Sequence, residues 1–415
     1  MGEEHLLEAK NIVEPAIVEL KSCKIEKLKP NDNDMKVLLV MRQLLDVRGN
    51  DVYCESALLP TLKRFQRLGD LTICTYRYEG QSAMPVDTLV PIDKDRVDFL
   101  NNEKSLKLRY LDRRYNRETL ERRIKDADLV VGYVPGTVCD LALDIAHRMG
   151  KKYLSFVVAC IWDGTWHHAN WKARLMAPIF FVETRRTILR SDYAWYVTEQ
   201  FLQQRYPTRG LSLGCTDTSI DELDEGVLER RVARIRQHVG PLKLLTVGHL
   251  DVGFKGQQFV IAAMADLPQV EYYMIGAGDG GRLKRLAEQK GVSDRIHFLG
   301  KMNRRDVLRV MDDMDVYVQV SLQEGLPRSV AEAMSRAMPV VGSRTGGIPE
   351  MIDDAYITRR KSVSDIVRIV GGFSRETLEQ EAKRNFQQAR HYQPSELERK
   401  IDDFFTLLQK NVQGE

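Results

Sequence analysis

The sequence predicts an α/β protein built from two doubly wound parallel sheets, each in a domain of its own. The chain has 415 residues, which is enough for two domains of ordinary size with separate hydrophobic cores. Short apolar strands alternate with helices along most of the chain, as is typical of parallel sheets. A cluster of turn-forming residues between positions 209 and 225 separates two such series and predicts a linker.

The first series predicts a domain over residues 35–208. Residues 1–34 precede it and are predicted to form an amphipathic helix and a polar turn, an appendage whose role cannot be read. The domain should begin with a buried strand at 36–40, followed by the turn Arg48-Gly49-Asn50 and a helix that continues to Leu68. Further elements are predicted as strands at 71–76, 88–92, 129–133 and 153–158 and a helix at 138–149.

The second series predicts a domain over residues 226–391. It should open with a helix at 227–238 and a strand at 242–247, and further strands are predicted at 272–275, 295–299 and 316–320. Residues 392–415 form a separate C-terminal segment with a helical pattern, which begins at a Pro-containing turn.

Composition excludes several classes of function. A formal net charge of +3 is too small to indicate a nucleic-acid partner, and no nucleic-acid-binding signature occurs. The six cysteines are scattered, as expected of small apolar side chains in a reducing compartment. No run of eighteen apolar residues predicts a membrane span, and the first residues lack the pattern of a secretory signal. We therefore expect a cytoplasmic protein.

The chain is organised around residues 316–351, where a buried strand, a loop and a helix follow one another. The loop carries Glu324 and Gly325, and Glu332 lies in the helix eight residues after Glu324. Backbone N–H groups at a helix N-terminus, at the carboxyl end of a strand, are a usual place for a bound anion. Because carboxylates do not bind phosphate, the two glutamates are expected to accept hydrogen bonds from hydroxyl groups. The predicted ligand is a polyol joined to a phosphate, which describes a nucleotide sugar.

These residues resemble a known family. The pattern Glu324-x7-Glu332, followed by Pro339-Val340-Val341-Gly342-Ser343 and by Thr345-Gly346-Gly347-Ile348-Pro349-Glu350, is similar to the donor-binding signature of retaining glycosyltransferases of family 4. The resemblance implies the GT-B fold, in which two Rossmann-like domains face a deep cleft and the last helix crosses back to the first domain. It also implies that Glu332 holds the ribose hydroxyls, that Glu324 holds the sugar hydroxyls, and that neither a cofactor nor an obligate metal is needed.

Cations for the donor diphosphate are expected near the first strand of the second domain. The loop 248–256 resembles the family segment in which an Arg and a later Lys-Gly pair flank the diphosphate, with Lys255 at the lysine position. His249 stands where the family usually has Arg. Arg328 is expected to supply the missing charge, and the N–H groups of Gly325 and Leu326 are expected to assist. Lys255, Glu324 and Arg328 are thus the predicted catalytic set.

A glycine-rich loop at 276–281 contains the pattern GxGxxG, so a nicotinamide dehydrogenase has to be considered. That fingerprint belongs in the first βαβ unit of a domain, whereas here it follows the second strand. The family resemblance instead assigns Gly276 and Gly278 to close approach of the nucleotide. Asp312-Asp313-Met314-Asp315, which could be mistaken for a metal-binding motif, is predicted to be a solvated turn.

The acceptor side is predicted in the first domain, in the segment Trp162–His168. It follows a strand and should face the cleft, where aromatic faces can stack on sugar rings while Asp163 and His168 bond hydroxyls. Trp166 is the aromatic candidate for the sugar side, although a helix-entry loop with packed tryptophans is an alternative. The segment resembles bacterial polysaccharide-building members of the family. That resemblance implies a saccharide or lipid-linked acceptor in surface polysaccharide or glycolipid synthesis.

Positive charge is concentrated in the first domain, where residues 104–125 carry nine Lys and Arg, followed by Arg185, Arg186 and Arg190. These residues form either a solvated helix face or a surface that contacts anionic lipid. The second possibility would place the protein at the inner face of the plasma membrane.

Two other functions remain open from the sequence. A GT-B-fold sugar-nucleotide epimerase would use a similar cleft without a sugar acceptor. A non-catalytic sugar-nucleotide sensor would keep the glutamates and lose phosphate cations, and His249 is the feature that favours this reading.

Overall fold

The structure is a computed structural model, and it describes residues 35–56, 58–78, 89–101, 109–166 and 171–414. The helix expected within residues 1–34 lies outside the described residues, as do Lys104, Lys107 and His168.

The first part of the chain alternates strands and helices. Its strands are β1 (Lys36–Arg48), β2 (Asp51–Glu55), β3 (Asp70–Arg77), β4 (Leu89–Ile92), β5 (Val97–Leu100), β6 (Leu129–Val134), β7 (Lys152–Val157), β8 (Tyr193–Tyr196) and β9 (Leu211–Gly214). Its helices are α1 (Leu59–Gln66), α2 (Arg109–Asp126), α3 (Thr137–Arg148), α4 (Ile161–Trp166), α5 (Trp171–Leu189) and α6 (Phe201–Arg205).

The second part repeats the alternation. Its strands are β10 (Leu242–Val247), β11 (Val270–Ile275), β12 (Ile296–Gly300), β13 (Val316–Gln319), β14 (Val340–Ser343) and β15 (Ile357–Thr358). Its helices are α7 (Glu225–Gln237), α8 (Gln257–Ala263), α9 (Gly281–Lys290), α10 (Arg304–Asp313), α11 (Arg328–Ser335), α12 (Ile348–Met351), α13 (Val363–Gly371), α14 (Arg375–Ala389) and α15 (Pro394–Gln413).

Each part forms its own sheet. In the first, the described strands run parallel in the order β5-β3-β1-β6-β7-β8-β9, and β2 and β4 add an antiparallel extension at the far end of β1. In the second, the strands described run in the order β12-β11-β10-β13-β14-β15, and all of their pairings are parallel. The predicted fold class, two doubly wound parallel sheets of the GT-B type, is therefore confirmed.

Two local predictions were wrong, and a third was confirmed as a strand but not as part of the parallel sheet. The turn at Gly49 leads into β2 as a hairpin instead of a helix, because Gly49 takes a positive φ of 61° that closes a tight turn. The strand predicted at 88–92 is β4, and it pairs antiparallel with β2, outside the parallel sheet. The predicted linker, 209–225, begins inside the first sheet, because Leu211–Gly214 pairs with β8; the chain between the sheets is the shorter segment 215–224.

The two sheets have separate cores, and α15 belongs to the first one. This helix is the last in sequence, yet Leu397, Ile401, Phe404, Phe405 and Leu408 are buried among the residues of the first core. The apolar residues recur at spacings of three and four, which is the pattern of one buried helix face. The chain therefore crosses between the domains twice, once before α7 and once before α15.

Candidate functional site

The loop between β13 and α11 lies at the carboxyl end of the second sheet. Strand β13 is buried along its whole length, and Pro327 precedes α11 as its N-cap without a side-chain cap. The first N–H groups of α11 therefore have no side-chain acceptor at the cap. This is the arrangement of strand, loop and helix that the sequence predicts.

Lys255 and Glu324 meet at this loop, 69 residues apart in sequence. Lys255 Nζ lies 2.9 Å from Glu324 Oε1, and the same oxygen accepts from Gln319 Nε2 at 2.9 Å. Gly256 makes the approach feasible, since it has a φ of 83° and a Cβ there would lie 2.1 Å from the carbonyl oxygen of Val320. Because Gly256 has no side chain, the loop that carries Lys255 packs directly against the end of β13.

Glu332 is 6% exposed and faces a cation that sequence reasoning missed. Arg304 Nε donates to Glu332 Oε1 at 2.8 Å, and Arg304 Nη1 donates to both carboxylate oxygens of Asp221 at 2.8 and 2.9 Å. Arg304 is the first residue of α10 and Asp221 lies in the segment between the sheets. Nothing in their sequence spacing indicates this contact.

His249 and Arg328, the two candidates for phosphate cations, are both exposed. His249 Nδ1 accepts from the backbone N–H of Asp251 at 3.2 Å, and this role requires Nδ1 to be unprotonated. Burial raises the pKa of Asp217, and the nearby charges of Arg64 and Arg328 oppose that rise. Arg328 thus lies near the segment between the sheets, close enough to act on its carboxylate.

Close packing explains why Gly276, Gly278 and Gly325 are glycines, because a side chain at any of these positions would clash with neighbouring atoms. A Cβ on Gly276 would lie 2.0 Å from the carbonyl oxygen of Gly248, and a Cβ on Gly278 would lie 2.4 Å from Asp251 Oδ2. A Cβ on Gly325 would lie 2.1 Å from the carbonyl oxygen of Val158 in the first domain. Their roles towards a nucleotide stay predictions, as does that of Leu326.

Asp163 is 1% exposed and holds the two domains together. Arg360 Nη1 and Nη2 donate to its two oxygens at 3.2 and 3.1 Å, and Arg205 Nη1 lies 3.7 Å from Oδ1. The carboxylate predicted to bind acceptor hydroxyls is therefore engaged by guanidinium groups. Arg360 is a second residue without any local sequence signal.

A second carboxylate also bridges the domains. Glu350, the last residue of the TGGIPE motif, accepts hydrogen bonds from three backbone N–H groups of the first domain. The donors are Glu199 at 2.6 Å, Gln200 at 3.2 Å and Phe201 at 2.7 Å. The carboxylate thus caps the start of α6, where negative charge is favoured.

Trp166 ends α4 and is 44% exposed. Its ring stacks on that of Trp162, with centroids 5.3 Å apart and an interplanar angle of 11°. Its neighbour in the prediction, His168, lies outside the described residues. The segment is a short helix in the structure, and one indole remains available at the surface.

Asp312 and Asp315 are engaged by arginines. Asp312 accepts from Arg336 with both oxygens at 2.7 Å, and Asp315 accepts from Arg234 at 3.2 Å. Among the described residues no group of three or more His, Cys, Asp or Glu is placed to hold a metal ion.

A family profile and one set of relatives match parts of the chain. Residues 231–390 match the family described as "Glycosyl transferases group 1". Protein CapJ of Staphylococcus aureus is 24% identical over 262 residues, which are 61% of this chain and 64% of that protein. The amylovoran biosynthesis glycosyltransferase AmsK of Erwinia amylovora is 30% identical over 156 residues, 34% of this chain and 38% of that protein. The chain thus spans less than two thirds of the length of either relative.

Solved structures extend the likeness to most of the chain. HepE of Anabaena, solved in complex with UDP, has a TM-score of 0.60 at 15% identity, and the match covers 92% of this chain and all of that one. At this identity the likeness establishes the fold, and it agrees with the two parallel sheets described above.

Proposed function

We propose that this protein is a retaining glycosyltransferase that moves a sugar from a nucleotide-sugar donor to a saccharide or lipid-linked acceptor. The observation that supports it most is the contact between Lys255 and Glu324, 2.9 Å apart at the carboxyl end of the second sheet. It places a cation and a hydroxyl-binding carboxylate where an open α/β sheet binds ligands. The group 1 profile covers this region, and HepE, of similar fold, binds UDP.

The proposed reaction uses the protein's own charges. The acceptor hydroxyl oxygen bonds to the anomeric carbon on the face that the diphosphate leaves, and the bond from that carbon to the phosphate oxygen breaks. The leaving oxygen takes the hydroxyl proton, so no protein base is required. Lys255, Arg328 and the N–H groups of Gly325 and Leu326 neutralise the departing diphosphate, with no obligate metal. Such stabilisation acts mainly in the transition state, where negative charge develops.

Glu324 and Glu332 are proposed to orient the donor. In the absence of a ligand, Glu324 is held by Lys255 and Gln319, and Glu332 is held by Arg304. Each contact described uses one oxygen, Oε1, of its glutamate. The other oxygen of Glu332 is proposed to accept from the ribose hydroxyls, and that of Glu324 from the sugar.

The proposed pathway rests on analogy with the relatives. AmsK is named for amylovoran biosynthesis, and we propose a comparable role in bacterial surface polysaccharide or glycolipid synthesis. None of the described helices is long and apolar enough to span a bilayer. We propose that the protein works in the cytoplasm, in peripheral contact with the inner face of the plasma membrane.

The test of the proposed function is donor binding and turnover. Calorimetric titration with UDP, GDP and ADP sugars should find one that binds, and adding a saccharide acceptor should release free nucleotide. Glu332→Ala should weaken that binding about tenfold to a hundredfold, since its ribose contact exists in the ground state as well.

The control variant is Glu288→Ala, which removes an exposed carboxylate of α9. Unchanged nucleotide affinity in Glu332→Ala would contradict its assigned role. Binding without nucleotide release from any acceptor would favour the sensor, and conversion of the sugar while it stays attached would favour the epimerase.

A further inference from the structure

A cavity of about 450 Å³ opens beside the Glu324 loop, between the carboxyl edge of the first sheet and Gln323 of the second domain. Arg42, Gln43, Tyr133 and Thr165 provide polar groups on the first-domain side. None of the described lining residues is a carboxylate, and Arg42 carries the sole formal charge among them. The cavity therefore lies on the first-domain side of the cleft, where the acceptor is expected to bind.

Among the described residues, Arg42 has no ion-pair partner. Within the described part of the chain, no hydrogen bond or salt bridge joins its guanidinium to another residue. Its alkyl stem packs on Gly136, where a Cβ would lie 2.4 Å from Arg42 Cδ. Because Gly136 has no side chain, the stem of Arg42 can lie along the cavity wall.

Asp140 lies one turn into α3, and the charge of Arg42 lowers the pKa of its carboxyl group. That carboxyl group, however, forms its hydrogen bond with another residue. Its Oδ2 accepts from the Thr184 hydroxyl at 2.9 Å. Burial raises the pKa of Asp140 to about 7, against the smaller opposing effects of Thr184 and Arg42. The carboxyl group is thus partly neutral near pH 7 and does not compensate the guanidinium.

A second unused group lies beside Arg42. The side-chain oxygen of Gln43 is buried and has no hydrogen-bond partner among the described residues. Burial also raises the pKa of the Tyr133 phenol, so Tyr133 remains a hydroxyl donor. An acceptor that fills the cavity displaces water, and a guanidinium that loses water is stabilised only by an opposite charge. Because the described lining residues offer none, a ligand that carries the opposite charge is favoured at this exposed arginine.

We propose, building on the glycosyl transfer proposed above, that the acceptor is an anionic saccharide whose carboxylate or phosphate binds Arg42. The planar guanidinium suits both anions, since its parallel N–H groups match two oxygens of either one. Arg42 is then a specificity-determining residue for the acceptor, separate from the cations of the donor site.

The test compares matched acceptors in the presence of the bound donor nucleotide. The probes are p-nitrophenyl β-glucuronide, p-nitrophenyl β-glucoside 6-phosphate and neutral p-nitrophenyl β-glucoside, measured by saturation-transfer NMR for binding and by nucleotide release for transfer. The parent protein should prefer an anionic probe over the neutral one on the order of tenfold to a hundredfold, the usual range for a charged hydrogen bond. The better of the two anionic probes identifies the carboxylate or the phosphate as the source.

Three variants distinguish the effect of the Arg42 charge from the effect of the position of its side chain. Arg42→Gln should abolish the preference while leaving the neutral probe within a few-fold, and Arg42→Lys should retain part of it. Gly136→Ala keeps the charge but displaces the stem, so the preference should fall to an intermediate value. Arg148→Gln, at an exposed arginine paired with Asp144 on its own helix, is the matched control and should change nothing.

Each outcome is decisive. Equal binding of charged and neutral probes by the parent, or no binding of either anionic probe, overturns the proposal. Loss of donor affinity in Arg42→Gln with an unchanged acceptor preference would assign Arg42 to the donor diphosphate and also overturn it. Failure of the proposed function is distinguishable, because the parent would then bind no nucleotide sugar, or would bind one and release no free nucleotide with any probe, charged or neutral.

Discussion

At the scale of single residues, Lys255 is the side chain on which the proposed chemistry depends most. Its side chain is 24% exposed and pairs with the side chain of Glu324, which is 9% exposed. A charge held in a partly buried position acts on a departing diphosphate more strongly than a solvated one, since the effective dielectric constant is lower. The pairing also sets the position of Glu324 before any donor arrives.

Lys255→Ala should therefore lower kcat about a hundredfold to a thousandfold, the range found when one stabilising group of this kind is removed. Donor affinity should change much less, because the charge on the leaving group develops in the transition state. Steady-state kinetics with EDTA present measures the effect without contaminating metals. Lys290→Ala, at the exposed end of α9, is the control. Turnover within a few-fold of the parent would remove Lys255 from the mechanism.

At the scale of elements, α5 presents an apolar row to solvent. Leu175, Ile179 and Val182 are 66%, 50% and 62% exposed and recur at spacings of four and three residues, so they share one helix face. The exposed residues Arg185 and Arg186 follow at the C-terminal end of the same helix. By contrast, the arginines of α2 whose side chains are described pair with acids, such as Arg114 with Glu118 and Arg123 with Asp98. We therefore propose that α5, and not α2, is the element to test for contact with lipid.

The double variant Leu175→Ser/Ile179→Ser should reduce partitioning onto vesicles of phosphatidylglycerol and phosphatidylcholine about tenfold or more. Each buried apolar side chain contributes roughly 1.5–3 kcal/mol when fully inserted, and partial insertion yields less. Arg185→Gln/Arg186→Gln should reduce binding to anionic vesicles alone. Co-sedimentation measures both, with Leu407→Ser, at an exposed leucine of α15, as the control. Equal, salt-insensitive partitioning of all forms would exclude membrane contact.

At the scale of the whole molecule, the two domains are held closed by contacts that cross the cleft. Arg360 of the second domain binds both oxygens of Asp163 in the first, and Glu350 caps α6. Gly325 allows the Glu324 loop to touch the backbone of Val158. These contacts between the domains bring the Glu324 loop next to the cavity that contains Arg42.

Arg360→Gln should loosen this closed form, because it leaves the buried Asp163 with only the more distant Arg205, 3.7 Å away and in the same domain. We expect a larger radius of gyration by small-angle scattering and a fall in kcat/KM of about tenfold. The double variant Asp163→Asn/Arg360→Gln should be no worse than the single one, as expected for residues that act as a pair. Arg344→Gln, whose partner Asp354 lies in the same domain, is the control.

A different pattern of kinetic effects would support the predicted role of Asp163 in binding the acceptor. If Asp163→Asn raised the acceptor KM while Arg360→Gln left it unchanged, the carboxylate would be binding the acceptor, and the interdomain pairing would be secondary.

The sequence by itself determined the two alternating series, the strand at Leu242–Val247, and the strand, loop and helix that carry Glu324 and Glu332. These features depend on apolar periodicity and on short motifs, and both are local. The sequence did not predict the hairpin at Gly49 or the pairing of β9 with β8. Both depend on which strands become neighbours when the sheet forms, and that is not a local property.

Only the tertiary structure decided which charges meet. Arg304 reaches Glu332 from 28 residues away, and Arg360 reaches Asp163 from 197 residues away. The same packing gives Arg42 no counter-ion among the residues that the structure describes. Contacts of this kind arise where separate strands end at one sheet edge, so their physical cause is the fold and no local pattern encodes them.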